Sequence, residues 1–556
     1  MVNRESIPAK RSSPDLLRFL VPTIVFLIYL YTLYPGLGLI DSGELTAVLY
    51  TLGIAHPTGY PLYTILGRIF ALLPIGSIPF RTNLLSAAAA ALASLFLFLF
   101  FKELMKDRLL ALVPVSFLAF STTIWSIANL TEVYALTYLL LAIDLYLFQK
   151  GHDTILWYLL GLTLTNHMIG LSVVLPIAIF LLIKRRVRPL HPLLFLLGLS
   201  LYFYLPIRAQ SAPILNWGDP STLERLIWHI TGKQYRVWMF SLPLSEVVGN
   251  LGTALVRFAH ELLFILIPLL LLGLIRLHRD GYLYLAILAL NIGYSINYSI
   301  PDVESYFIPS LLMVAILLAR GLAVLRLRYL PMLALLPLIH LPQSNGRDYR
   351  FADDLAQNII KHLRSKSLLI CNVWDCYSPL LYYDVVENRA GGHWLIDKEL
   401  LRRSWYLDYL RRRYPELCEG LKDQLSAYRK ELFRFEHDLP YDRALIQERF
   451  EALIRGMVEL GRKDRRVYIL SPIPDLDLNR ALSGLPLKPE GLLMRVGTEA
   501  DTFDFDRLTI RLPDRIDDRH RFLISSIYLK SAYLNYQYYR SRSALEFFQK
   551  LTSRLR

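Results

Sequence analysis

Up to about residue 342 the chain alternates long apolar runs with short polar connections, and beyond that point its pattern changes. A transmembrane helix needs roughly 20 mostly apolar residues. Eleven stretches approach that length: 15–35, 82–101, 109–126, 131–149, 154–169, 170–184, 189–207, 255–275, 281–298, 306–322 and 329–342. Two connections are long, 36–81 and 208–260. The first carries two apolar pieces too short or too interrupted to span, which read as helices lying along a membrane interface. After Pro342, runs such as SLLICNVW (367–374) and RRVYILSPI (465–473) predict buried strands, and 398–434 and 441–461 predict amphipathic helices. The expected fold is mainly α: a polytopic unit of about 11 transmembrane helices over 1–342, a soluble α/β or α+β domain over 343–520, and a helical segment over 521–556. The last segment reads as a single helical-repeat unit.

Composition agrees with that division. The 556 residues are 54% hydrophobic, and of 47 acidic residues 31 lie after position 342. The net charge of +14 sits largely in short connections between apolar runs, so it reads as a topology signal and implies no nucleic-acid partner. Arg4, Lys10 and Arg11, then Lys102, Lys106 and Arg108, Lys150, Lys184–Arg188, Arg276 and Arg279, and Arg320, Arg326 and Arg328 fall at alternate connections. Under the positive-inside rule this predicts a cytoplasmic N-terminus, and an odd number of spans then places the C-terminal domain outside. In a bacterium that is the inner (plasma) membrane. The apolar stretch from Leu16 lacks a small-residue cleavage site and reads as a retained first span. Cys371, Cys376 and Cys418 match no zinc spacing; one bridge and three free thiols both remain open.

The polar residues of the N-terminal region cluster on the expected outer side. The stretch LYPGLGLIDSGELTAVLYTLGIAHPTGYP places Asp41, Glu44 and His56 within sixteen residues of one another. Ionisable groups beside a bilayer face a protein interior or a wet cavity, because lipid exposure is costly. Asp41 and Glu44, three apart, share a helix face. They read either as capping groups of a helix start or as a general base with its partner. His56 reads as a loop histidine bonded to backbone or as a donor to a leaving oxygen. Glu132, His167 and Asp302, from short turns, converge on the same side, as do Arg68, Arg208, Asp219 and Arg236. Arg forks suit phosphate, and the rival reading is general attraction to anionic headgroups. No HExxH-like spacing supports a metal, so no cofactor is required by the sequence, and a divalent ion is left unsupported.

Taken together, DSGELTAVLYTLGIAHPTGYPLYTILGR, RTNLLSA, NLTEVYALTYLLLA, LTNHMIGLS and LYFYLPIRA followed by LNWGDPSTLERLIWHITGKQYR resemble a large family of multipass proteins long labelled a domain of unknown function. That family is related to protein O-mannosyltransferases and similar to the GT-C superfamily of membrane glycosyltransferases. RRSWYLDYLRRRYPEL resembles an accessory segment of bacterial members. The resemblance implies an inverting transferase moving a sugar, mannose first, from a polyprenyl-phosphate donor to an external hydroxyl of a protein or glycan. It implies Asp41 as the catalytic base with Glu44 in the same motif, and Arg208 and His56 at the donor phosphate. The competing readings are a transporter or flippase of a lipid-linked or polar solute, and a non-catalytic receptor. No inverted repeat supports the transporter.

Overall fold

The computed structural model describes residues 15–277, 281–300, 302–325, 327–364, 366–470 and 475–555. Arg4, Lys10, Arg11, Arg279 and Arg326 of the charge pattern, and 471–473 of the second predicted strand, lie outside the described residues.

The chain is mainly helical. It opens with α1 (Leu17–Thr32), α2 (Ser42–Thr51), α3 (Pro61–Ala71) and α4 (Ile78–Met105). Among the described residues three helices are long and apolar enough to cross a membrane: α4, Leu190–Gln210 and Val303–Val324. Leu112–Ala119 and Thr122–Asn129 make a fourth if the pair, bent by 57°, is one span. Fewer helices than the expected 11 or so meet that length. Several apolar runs are divided by local chemistry that hydropathy does not register. Ser121 breaks the run 109–126 by accepting the Ile124 N–H and starting a new helix. The run 255–275 is split between Leu244–Glu261 and Ile267–Ile275, with Leu263 and Phe264 at positive φ between them. Leu17–Thr32, Met168–Ile183, Gly281–Ser295 and Leu330–Ser344 remain as shorter apolar helices.

The C-terminal region contains a five-stranded sheet of order β2-β1-β3-β5-β4. Its strands are β1 (Ser367–Cys371), β2 (Trp394–Asp397), β3 (Arg466–Leu470), β4 (Leu487–Glu490) and β5 (Leu493–Val496). β1 runs parallel to β2 and β3, and β5 runs antiparallel to β3 and β4. With neighbours on both sides, every residue of β1 is buried, as its unbroken apolar sequence requires. Helices Lys530–Tyr539 and Arg542–Leu555 pack on one another. The first is tied to the β4–β5 turn by paired hydrogen bonds between Asn535 and the Gly491 backbone. All three cysteines are free and buried.

The two regions meet where the helix Trp374–Val385 packs on α2. The contact is backbone to backbone: a Cβ on Gly43 would lie 2.3 Å from the Ser378 carbonyl oxygen and 2.7 Å from Pro379 N. Neither atom can swing aside as a side chain would. Gly43→Ala is therefore expected to lower the stability of the solubilised protein by about 1–3 kcal/mol. Gly252→Ala is the control, since a Cβ there meets nothing within 4 Å. Equal melting temperatures for the two variants would refute the close contact.

Candidate functional site

The helix α2 begins without a side-chain cap. Asp41 occupies the N-cap position but bonds none of the helix's N–H groups, and Ser42 Oγ accepts instead from Gly38 N. One free donor is answered from the C-terminal region, Ser378 Oγ accepting from Glu44 N at 3.0 Å, and Asp375 Oδ1 holds the loop before the helix by accepting from Ile40 N at 3.0 Å. Capping is thus removed from Asp41 and Glu44, and both carboxylates turn to other partners.

Glu44, 1% exposed, takes the His56 backbone N–H on Oε1 at 3.0 Å and faces the ring Nδ1 with Oε2 at 2.7 Å. The other ring nitrogen lies 3.8 Å from Asp41 Oδ2. Asp41 Oδ1 accepts from the indole Nε1 of Trp374 at 2.6 Å. His56 therefore bridges two carboxylates. Burial opposes its charge, but Glu44 and then Asp41 outweigh that and push it up to about 10. Burial pushes the Asp41 carboxyl above its ordinary value, with His56 pulling it down, Glu44 adding to the rise, and the Trp374 hydrogen bond and Arg519 opposing it. Arg519 forks onto Asp375 at 2.8 and 2.9 Å, behind the same loop.

Beside this cluster lies an aromatic wall. His167 stacks on Tyr60 at 5.6 Å between ring centroids and contacts Tyr134 and Tyr306 at 4.9 and 5.4 Å. Its Nδ1 accepts from Ile169 N. Glu132 is buried within electrostatic range of Asp41, Asp302 and His56. Asp302, at 3.5 Å from the Tyr134 hydroxyl, is pushed up to about 6, by burial first and the Asp41 charge second. Carboxylates, hydroxyls and ring faces in this arrangement suit a polyhydroxylated ligand.

The expected arginines are put to different uses. Arg208 donates to the carbonyls of Leu52 and Thr51 and to Ser211 Oγ, and Arg68 donates to the Tyr50 carbonyl. Both cations thus close the C-terminus of α2, where its dipole favours them. A ten-residue helix is about 15 Å long, so Arg208 sits at the opposite end of α2 from Asp41. Asp219 is ion-paired with Arg225 and fixes the NWGDP turn. That turn is pinned to the first loop by Ile54 N donating to Leu215 O and Trp217 N donating to Ile54 O, which sets Trp217 against His56 at 5.9 Å. Arg236 makes no hydrogen bond or ion pair through its guanidinium among the described residues. Asp144, mid-helix, accepts from Thr163 Oγ1 and has a structural role.

One ligand atom each from Asp41, Glu44 and His56 lies within 4.8 Å of the others, a spacing a divalent ion can use. Both Glu44 oxygens already bond His56, so a metal would have to displace that pair. Sequence reasoning missed Trp374, Asp375, Ser378 and Arg519. One signal was available. Trp374 and Asp375 follow the carboxyl end of β1, between its parallel neighbours, where ligand sites of such sheets gather.

Membrane-length apolar helices together with a carboxylate–imidazole cluster describe a membrane protein that carries a group of interacting titratable side chains. Residues 41–190 match the family described as "Protein O-mannosyl-transferase TMEM260 N-terminal domain", beginning at Asp41 itself. The chain is 28% identical over 433 residues to the mouse protein named "Protein O-mannosyl-transferase TMEM260", covering 67% of this chain and 61% of that one. It is 29% identical over 241 residues to the Dictyostelium discoideum protein of that name, covering 38% of this chain and 29% of the relative. The resemblance to a protein O-mannosyltransferase-like family read from the motifs is thus carried by independent matches.

A folded-state value above the ordinary 6.5 means the folded chain holds the His56 proton more tightly. Its contribution to stability is complete below about pH 6.5 and is lost as pH rises through about 10. The melting temperature of the wild type should therefore fall toward that of His56→Gln over this interval. A constant difference between the two curves would refute the ion triad.

Proposed function

We propose that the protein is a GT-C-type membrane glycosyltransferase that moves a sugar, mannose by preference, from a polyprenyl-phosphate carrier to an extracytoplasmic hydroxyl, a protein Ser or Thr by preference. The observation that carries this is Asp41: the first residue of the family match, half-enclosed and bonded to Trp374, with His56 and Glu44 on one side. The names of the relatives support mannose and a protein acceptor. In this reading the N-terminus is cytoplasmic, 1–342 forms the transferase core, and 343–520 with 521–556 forms the external part.

The chemistry is a single displacement. An acceptor oxygen attacks the anomeric carbon as the bond from that carbon to the phosphate oxygen breaks, and its electron pair leaves with the polyprenyl phosphate. Attack opposite the leaving group inverts the anomeric centre. Asp41 takes the acceptor proton, and burial, by raising its proton affinity, makes it a stronger base than a solvated aspartate. Glu44 holds His56, whose positive charge opposes the effect of burial and lowers the proton affinity of Asp41. Tyr60, Tyr134, His167 and Tyr306 provide ring faces for the sugar, and Glu132 and Asp302 accept from its hydroxyls.

With labelled polyprenyl-phosphate mannose and membrane acceptors, the wild type should transfer label. Asp41→Asn should lose about 10²–10⁴-fold in rate. It should melt no lower than wild type near neutral pH, because the buried carboxylate favours its neutral form. Absence of transfer by the wild type, with flipping that survives Asp41→Asn, would establish the transporter instead.

Trp374→Phe removes a hydrogen bond that lowers the Asp41 value, so the acid limb of its pH–rate profile should move to higher pH. An unmoved limb with a reduced plateau would assign Trp374 to packing alone. Since the Glu44 oxygens already bond His56, transfer should also persist in a chelator; its loss, restored by a divalent ion, would overturn that part of the reading.

A further inference from the structure

A second site lies at the seam between the second long loop and the C-terminal region. The helix Leu223–Ile230, the turn Lys233–Trp238 and the start of the helix Ser404–Arg413 enclose a cavity of about 240 Å³. That is several times the roughly 30 Å³ occupied by a water in the liquid. Arg225, Lys233, Arg236 and Arg403 line it, with Glu436 and Asp438 as the acidic groups.

Two of the four cations are already paired. Arg225 bonds Asp219, and Lys233 bonds Asp438 and the Glu436 carbonyl. The Glu436 carboxylate accepts the Ser404 N–H at the helix start. Arg236 and Arg403 have no hydrogen bond or ion pair through their guanidinium groups among the described residues. Arg403 is half-buried, and burial holds it below the ordinary arginine value despite attraction from Glu436. For Arg403, a guanidinium partly taken from water without a hydrogen-bonded counter-charge is unfavourable, and an anion entering the cavity that Arg236 also lines relieves it.

The cavity adjoins the acid–base cluster. Pro57, the residue after His56, lines it, and so does Trp405. Trp405 packs on Trp217 at 4.7 Å, and Trp217 packs on His56. The same loop exposes Leu223, Ile227 and Phe240, and Val237 at the cavity itself. A free phosphate has no use for that apolar rim, whereas an isoprenoid chain or the bilayer edge covers it.

We propose that this seam is an anion site, centred on Arg403 and Arg236, that holds the phosphate ester of an isoprenoid carrier. The assignment of the carrier rests on the transferase reading; the anion site itself stands on the cavity and its two unpaired cations. Its consequence is that the C-terminal region supplies part of the donor site, through the RRSWYLDYLRRRYPEL segment.

The test is calorimetric titration of the full-length solubilised protein with a short-chain prenyl phosphate, the matching prenol and inorganic phosphate. Prenyl phosphate should bind at least about tenfold more tightly than either of the others, each of which lacks one half of the recognition. Arg403→Gln and Arg236→Gln should each weaken prenyl phosphate at least about threefold while leaving prenol binding unchanged. Arg236 is exposed, so its variant keeps the test informative if Arg403→Gln unfolds. Arg411→Gln, outside the cavity, should bind as wild type.

Prenyl phosphate binding indifferent to both substitutions overturns the site. Inorganic phosphate binding as tightly as prenyl phosphate overturns the carrier. Arginine-dependent binding by a wild type that transfers no sugar keeps the site and removes the transferase reading. Normal transfer with arginine-independent binding does the reverse.

Discussion

A helix that starts inside a protein leaves N–H groups without partners, and the usual remedy is a side chain of its own N-cap. In α2 a remedy comes from more than 300 residues away, through Ser378, while Asp375 holds the N–H of Ile40 in the loop just before the helix. This arrangement depends on a backbone contact at Gly43 that admits no Cβ. Because the cap is supplied externally, Asp41 and Glu44 are released from the role their spacing suits best. One carboxylate is then free to grip His56, and the other to face the region where Trp374 and His56 meet it. The acid–base cluster is therefore a product of the interface between the two regions, although all three of its titratable residues belong to the N-terminal one.

The same economy explains why the arginines divide as they do. A short helix whose N-terminus is met by a hydroxyl from another region still exposes carbonyls at its other end. Arg208 and Arg68 close that end. Arg208, held by two carbonyls and a hydroxyl, has little left to offer a phosphate, so anion binding falls to positions whose guanidinium groups have no internal partner among the described residues. Those positions lie on the second loop and on the C-terminal region, one on each side of the seam.

The sequence carried the local features well. Asp41, Glu44 and His56 sit within sixteen residues, and the structure brings them together with Glu132, His167 and Asp302 from separate turns. β1 is fully buried where SLLIC predicts it. Spans were less legible, because hydropathy averages over the Ser121 cap and the left-handed Leu263–Phe264 turn that divide apolar runs. Roles were less legible still. Whether an arginine beside a membrane meets a phosphate or a helix end depends on which carbonyls the fold brings to it. Nothing in LYFYLPIRA states that Leu52 will be there. The place of Trp374 after β1 was a signal, but its partner was not legible, because its contact with Asp41 spans 333 positions of chain.

The charge balance at Asp41 follows from this construction. Burial and the Glu44 and Asp302 carboxylates favour a neutral Asp41, while His56, the Trp374 N–H and Arg519 favour the anion. Two of those three opposing groups come from the C-terminal region. A base made of the N-terminal region alone would keep its burial and its like charges but lose the indole hydrogen bond and the nearby guanidinium. Its proton affinity would then rise further. The proton affinity of Asp41 is thus set between the two regions, which makes the docking of the C-terminal region a condition for the proposed acid–base chemistry as well as for the shape of the site.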